Sequence, residues 1–317
     1  MNMKSGLVIC CISILAILMA PSISLAFSES GYIVDDLITL QEGQIDIGLV
    51  ALRLAKEVYP EIDIAEYSKK IDGIVVGVRA LTRYSTDPDF RIRALNTYLY
   101  KHYKLEYDLS DPDAQKLENH FITGILDTKK GSCITMPLLY LAVAQRLGYP
   151  VYPVAAPSHL FLRYVDPKLK LQNIEATTGG GYVPDDEYQH VLKVSDKGIE
   201  SGAYLNTMTY REFLGDLIAE NGIYWARQGD VVRGIIYLDR ALKLNPKSAD
   251  IHYTLGELYR ELAKTAVAPF DRQHSRVSKE YFQESVDLGV VRLSNKNYVA
   301  EQEKAQAAYR QAKGEIK

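Results

Sequence analysis

The chain has 317 residues, 47% of them hydrophobic, and 37 Lys and Arg against 40 Asp and Glu. That length supports one or two domains with a substantial core. A net charge of −3 argues against a nucleic-acid partner, which requires a basic face.

The first 26 residues read as an export signal. Lys4 supplies the positive start, Gly6 to Met19 is apolar, Pro21 breaks the run, and Ser24-Leu25-Ala26 is a small-x-small cleavage site. Cleavage is expected after Ala26, which makes the protein periplasmic or secreted. The alternative is an uncleaved membrane anchor over residues 6–27. Cleavage would remove Cys10 and Cys11 and leave Cys133 as the single thiol. A lone thiol forms no internal disulfide, and in an exported chain it needs a reason to exist.

Residues 27–130 are mostly helical in pattern. Ile45 to Ala55 has helix composition and ends near Pro60. Ala65 to Tyr84 places Ile71, Ile74, Val75, Val78 and Leu81 on one stripe. Asp87-Pro88 reads as an N-cap and first helical residue, with the helix running to Tyr103. A further helix is expected over 113–128, with Leu117, Phe121, Ile122 and Leu126 on one face. Residues 133–147 are apolar almost all round and predict a fully buried helix ended by Gly148 and Pro150. Pro137 is tolerated only in a first turn, so this helix starts near Ile134 and Cys133 sits on its N-terminal lip.

The period then changes to that of strands, over 149–154, 158–165 and 171–177, with a hairpin loop at 166–170. If Val165 opposes Leu171, then Phe161 opposes Glu175 and His159 opposes Thr177. Glu175 is then the diagonal same-face neighbour of His159, ahead of Asn173. Gly179-Gly180-Gly181 lacks the Lys-Ser/Thr of a phosphate loop and reads as a flexible edge near the cleft. Asp108, Asp111 and Asp113 lack calcium-loop spacing, and Asp111 or Asp113 reads as a helix cap. The six histidines show no zinc spacing, so neither a metal nor a cofactor is expected.

Gly222-x-x-Trp225 recurs as Gly256-x-x-Tyr259, 34 residues on. Ala241, Pro246 and Gly234 fall at the small and terminating positions of a tetratricopeptide (TPR) repeat, and the segment resembles that family. Two helix pairs fit, at about 215–245 and 249–288, the second with an insertion near 268–273. Members of that family bind partner proteins or pack on their own domain.

A cysteine at a helix N-terminus is placed to act as a thiolate beside amides that could hold an oxyanion. The competing reading is a buried structural cysteine. His159 is the candidate base and Glu175 the group that would orient it. For each alone the plainer reading is structural: a hydrogen-bonded histidine and a solvated strand residue.

The order Gly131-Ser132-Cys133 at a helix start, His159 at a strand start, and Asn173-Ile174-Glu175-Ala176-Thr177 on the next strand resembles the transglutaminase-like superfamily. Leu117-Glu118-Asn119-His120-Phe121, Lys129-Lys130-Gly131, Leu138-Leu139-Tyr140-Leu141-Ala142 and Arg146-Leu147-Gly148-Tyr149-Pro150 are most similar to its SirB1-type (transglutaminase-core-2) branch. So is a C-terminal TPR array. The resemblance implies an α+β, papain-like domain in which the Cys-bearing helix packs on an antiparallel sheet, followed by an all-α repeat domain. It implies domains at 27–205 and 206–317 and a Cys133-His159-Glu175 triad. Many relatives have Asp in the third place, and many SirB1-type members lack the cysteine. Asn119 is a candidate second oxyanion donor; its plainer reading is an exposed helix residue.

The expected activity is that of an exported thiol enzyme acting on an amide bond of a protein or peptide. Hydrolysis, deamidation and acyl transfer share the same steps. The alternative is an idle scaffold whose repeats bind a partner protein. A membrane enters only through an uncleaved anchor.

Overall fold

The computed structural model describes residues 32–292, apart from 112–113 and 170–171. The expected signal, with Cys10 and Cys11, lies outside the described residues. Five helices lead in to the site: α1 (Ile33–Leu37), α2 (Ile47–Val58), α3 (Ile64–Thr82), α4 (Pro88–Asn96) and α5 (Ile122–Thr128). Their starts follow local chemistry. Asp46, Asp63 and Asp87 each cap a helix by accepting first-turn backbone N–H groups. Pro88 opens α4, and the helix continues through a wider, π-type segment at Thr97–His102.

The helix expected over 113–128 is shorter than its apolar stripe suggested. A 3-10 turn at Leu117–Asn119 comes first, and α5 starts only at Ile122. The reason is side-chain competition for the backbone. Asp111 accepts from the N–H groups of Gln115 and Lys116 at 2.8 and 2.9 Å, and Asp108 from that of Ser110 at 3.1 Å.

Two short strands, β1 (Glu106–Tyr107) and β2 (Lys130–Gly131), pair in parallel. They deliver the chain to α6 (Thr135–Arg146), the buried helix. From Met136 to Ala144 every side chain of α6 is buried, and α2, α3, α5 and the following strands pack around it. Gly148 ends it at φ 73°, the left-handed conformation that glycine adopts without strain.

The larger sheet has the order β3 (Val151–Ala156), β4 (His159–Tyr164), β5 (Asn173–Ile174), all antiparallel. Pro157 and Ser158 form the two-residue turn between β3 and β4, with Ser158 at φ 56°. Leu162 opposes Ile174 and Arg163 opposes Asn173, the register in which Phe161 faces Glu175. The returning strand is shorter than expected. Glu175 caps a 3-10 turn at Ala176–Thr178, and Gly181 folds back to pair with Glu175. The triple glycine is thus a turn that seats Glu175.

Two short helices, α7 (Asp185–Val191) and α8 (Asp196–Glu200), lead to two antiparallel hairpins. These are α9 (Tyr210–Arg227) with α10 (Val231–Leu244), and α11 (Ala249–Thr265) with α12 (Phe270–Asp287). Gly222 and Gly234 let α9 and α10 touch: a Cβ on Gly222 would lie 3.0 Å from the Gly234 carbonyl oxygen. The extra residues expected near 268–273 lengthen the second hairpin. Its helix α12 has 18 residues, where α10 has 14.

The core does not break at the boundary expected after residue 205. Phe213, Leu214, Ile218, Tyr237 and Leu238 share one cluster with Ile47, Ile71 and Tyr140. Polar ties reinforce it. Asn221 donates to the Leu54 carbonyl at 3.0 Å, and Tyr210 to that of Val151 at 3.0 Å. Among the described residues no helix is long and apolar enough to cross a membrane.

Leu139, fully buried on α6, reports this packing. Leu139→Ala is expected to cost about 2–5 kcal/mol, read as a lower midpoint in urea denaturation.

Candidate functional site

The strand pair β1–β2 brings Gly131 to the start of α6, and glycine is required there. A Cβ would meet Ile125 Cδ1 at 2.5 Å and Thr135 Oγ1 at 2.8 Å. Ser132 then organises the turn. Its hydroxyl donates to the Asn119 carbonyl at 2.8 Å and accepts from the N–H groups of Ile134 and Thr135 at 3.2 and 3.3 Å. Met136 N–H bonds the Ser132 carbonyl, and Pro137 has no N–H. Among the described residues, the N–H of Cys133 has no such partner. The other lip amides, expected to hold an oxyanion, are capped.

Asn119 does not fit the role of oxyanion donor. It is buried, and its side-chain nitrogen donates to Asp108 Oδ2 at 3.0 Å and Asp111 Oδ2 at 2.7 Å. Both amide protons are committed, and its carbonyl receives the Ser132 hydroxyl. It braces the turn that carries Cys133.

Cys133 is half-buried, with its sulfur 3.9 Å from the Ser158 carbonyl oxygen. His159, first residue of β4, lines the same cavity as Cys133 and interacts with it electrostatically. Its Nε2 lies 2.7 Å from Glu175 Oε2. The three residues singled out from chain order and hairpin register therefore meet in one place.

Glu175 is itself held from both sides. Thr177 donates to Oε1 through its N–H at 2.9 Å and its hydroxyl at 2.6 Å. Tyr188, on α7, donates to Oε2 at 2.7 Å, the oxygen that also faces His159. The Tyr188 ring stacks on Phe161 with centroids 3.9 Å apart. The sequence carried a signal for Thr177, since a hydroxyl two residues after an acid can close a local turn. For Tyr188 there was none, because a turn and most of a helix separate it from Glu175.

Electrostatics follow from this burial. Desolvation acts against a charged His159, but the Glu175 carboxylate and Cys133 outweigh it and hold the imidazole above its ordinary range. Desolvation likewise opposes a charged Glu175, and the His159 charge with the Thr177 bonds draws it below its ordinary range. At neutral pH the pair is imidazolium and carboxylate. The His159 contribution to stability is complete below its ordinary pKa of 6.5 and fades as pH rises through the higher folded value. That of Glu175 is complete above 4.5 and fades as pH falls through the lower folded value.

Cys133 and His159 open onto a cavity of about 470 Å³ whose other wall is α9 and α11. No cluster of His, Cys, Asp or Glu that could hold a metal ion occurs among the described residues.

A thiol on a helix lip, an imidazole on the facing strand and a buried acid behind it are the groups that cysteine-dependent acyl transfer requires. Residues 65–218 match the family model described as the transglutaminase-like superfamily, and this part of the chain is a transglutaminase-like domain. The chain is 22% identical over 253 residues to a UPF0162 protein of Xylella fastidiosa (strain 9a5c), covering 75% of this chain and 85% of that protein. It is 27% identical over 197 residues to a UPF0162 protein of Buchnera aphidicola, covering 58% of this chain and 68% of that one. A 71-residue stretch is 38% identical to F-box only protein 21 of Mus musculus, covering 22% of this chain and 11% of that protein. No solved structure matches the chain.

In Glu175→Gln the charge that outweighs burial is gone. The His159 pKa is expected to fall below 6.5, read by NMR titration of the imidazole. A value unchanged from wild type would mean that Glu175 does not set it.

Proposed function

We propose that the protein is an exported thiol enzyme that acts on amide bonds of proteins or peptides through Cys133, His159 and Glu175. The observation that carries this reading is the buried His159–Glu175 pair, 2.7 Å apart, beside Cys133 in one cavity. The reacting form pairs a Cys133 thiolate with the His159 imidazolium. The thiolate attacks the amide carbon and forms the C–S bond, while the carbonyl electron pair moves onto oxygen. Cys133 N–H receives that oxygen. As the oxyanion collapses the C–N bond breaks, and His159 Nδ1–H protonates the departing amine. Neutral His159 then takes a proton from water or a second amine, which attacks the thioester and releases the thiol. Hydrolysis, deamidation and acyl transfer differ only in the leaving and incoming groups.

Within the superfamily we assign the chain to the SirB1-type branch and read its two terminal hairpins as TPR-like. The 34-residue recurrence of glycine and aromatic positions supports the repeat reading. The rival function is an idle domain that serves as a scaffold for a partner of those hairpins. Against it stands the supported acid: a buried carboxylate with four donors around it is costly to keep without use.

Iodoacetamide is expected to alkylate Cys133 rapidly in the native protein at pH 6–7. His159→Ala should slow the reaction at least about tenfold. A thiol that resists alkylation until urea unfolds the chain would sink the enzyme reading. For export, N-terminal sequencing of the mature protein should begin at Phe27; a start at Met1 would support the anchor instead.

A further inference from the structure

The cavity holding Cys133 and His159 is walled on its far side by α9 and α11, and that wall is acidic. Asp216, Glu220, Asp250 and Glu257 line it, against Arg227 and Arg292. The two arginines are fewer than the four carboxylates. Arg292 lies 3.7 Å from Asp250 and is taken up there, while Tyr204 donates to the same carboxylate at 2.9 Å. Glu257 faces Arg260 on its own helix. Glu220 has His120 Nδ1 at 3.9 Å.

Asp216 is the least compensated. Its hydrogen bond comes from the neutral amide of Asn245 at 2.8 Å. The charged groups that act on it are the carboxylates Asp250, Glu220 and Glu212. Burial first, and then this repulsion, push it up to about 7. Asp216 is thus only partly ionised at neutral pH, and a cation entering the cavity would draw it toward the carboxylate. The acids are not a site on their own. They line one cavity with the thiol and imidazole.

Resting on the reading of Cys133 as a nucleophile, we infer that the cleft selects an acyl substrate bearing an ammonium or guanidinium group. Asp216 and Glu220 receive that group while the acyl carbon lies at Cys133. The same wall disfavours anionic substrates. The terminal hairpins then do more than carry a partner surface, because α9 and α11 form the specificity half of the site.

Methanethiosulfonate reagents of similar size and opposite charge test this at Cys133 itself. The ethyltrimethylammonium reagent, the ethylsulfonate reagent and neutral methyl methanethiosulfonate are compared on the full chain, with modification of Cys133 followed by peptide mass. Each charged-reagent rate is divided by the neutral one. The cationic reagent is expected to outpace the anionic by about tenfold. That ratio should fall several-fold in Glu220→Gln and further in Asp216→Asn/Glu220→Gln. If the neutral reagent reacts but the charged pair is not discriminated, or the ratio survives both variants, this inference falls and the nucleophile stands. If no reagent modifies native Cys133, both fall.

Discussion

Burying α6 on every side obliges the rest of the molecule to take its place around it. Its side chains from Met136 to Ala144 reach no solvent. Helices α2, α3 and α5 and strands β3 and β4 are the surfaces that cover them. A helix so enclosed exposes chemistry only at its ends. The C-terminal end closes with Gly148. The N-terminal end carries Cys133, held by Ser132, Asn119 and the two aspartates behind them.

The second constraint is the cost of burying charge. An imidazolium and a carboxylate out of water are unfavourable unless paired and fully hydrogen-bonded. Here Glu175 has His159 and Tyr188 on one oxygen and Thr177 twice on the other. Tyr100 extends the network by donating to the Ala176 carbonyl at 2.6 Å. This shell fixes the acid, and the acid fixes the ring beside Cys133. The left-handed Ser158 and the turn through Gly179 and Gly180 are the backbone side of the same arrangement.

The terminal hairpins belong to this architecture rather than standing beside it. Their apolar faces enter the main core, and their polar faces complete the cavity at Cys133. A cleft made this way joins a reactive end on one element to charge on another. Position along the chain then matters less than which faces are left after packing.

Much of the site was legible because short-range rules fix it. Pro137 and the apolar run place the helix start, and with it Cys133. The alternation of β4 and its pairing with β5 put Glu175 beside His159, since a sheet allows one register to bury one face. Asp87 with Pro88 announced its helix. Other features depended on partners far away in the chain or on competition that periodicity does not see. The stripe from Leu117 to Leu126 promised a longer helix, but aspartate side chains took the backbone amides first. Asn119 sat close to Cys133 in sequence, yet its donors went to Asp108 and Asp111. Tyr188 and the carboxylates of α9 and α11 reached the site only through tertiary packing. The sequence by itself determined the helix that carries Cys133 and the placing of His159 beside Glu175, through local hydrogen bonding and the period of side chains. Only the tertiary structure decided what braces them and what charge faces them, because those groups meet by the burial of surfaces distant in the chain.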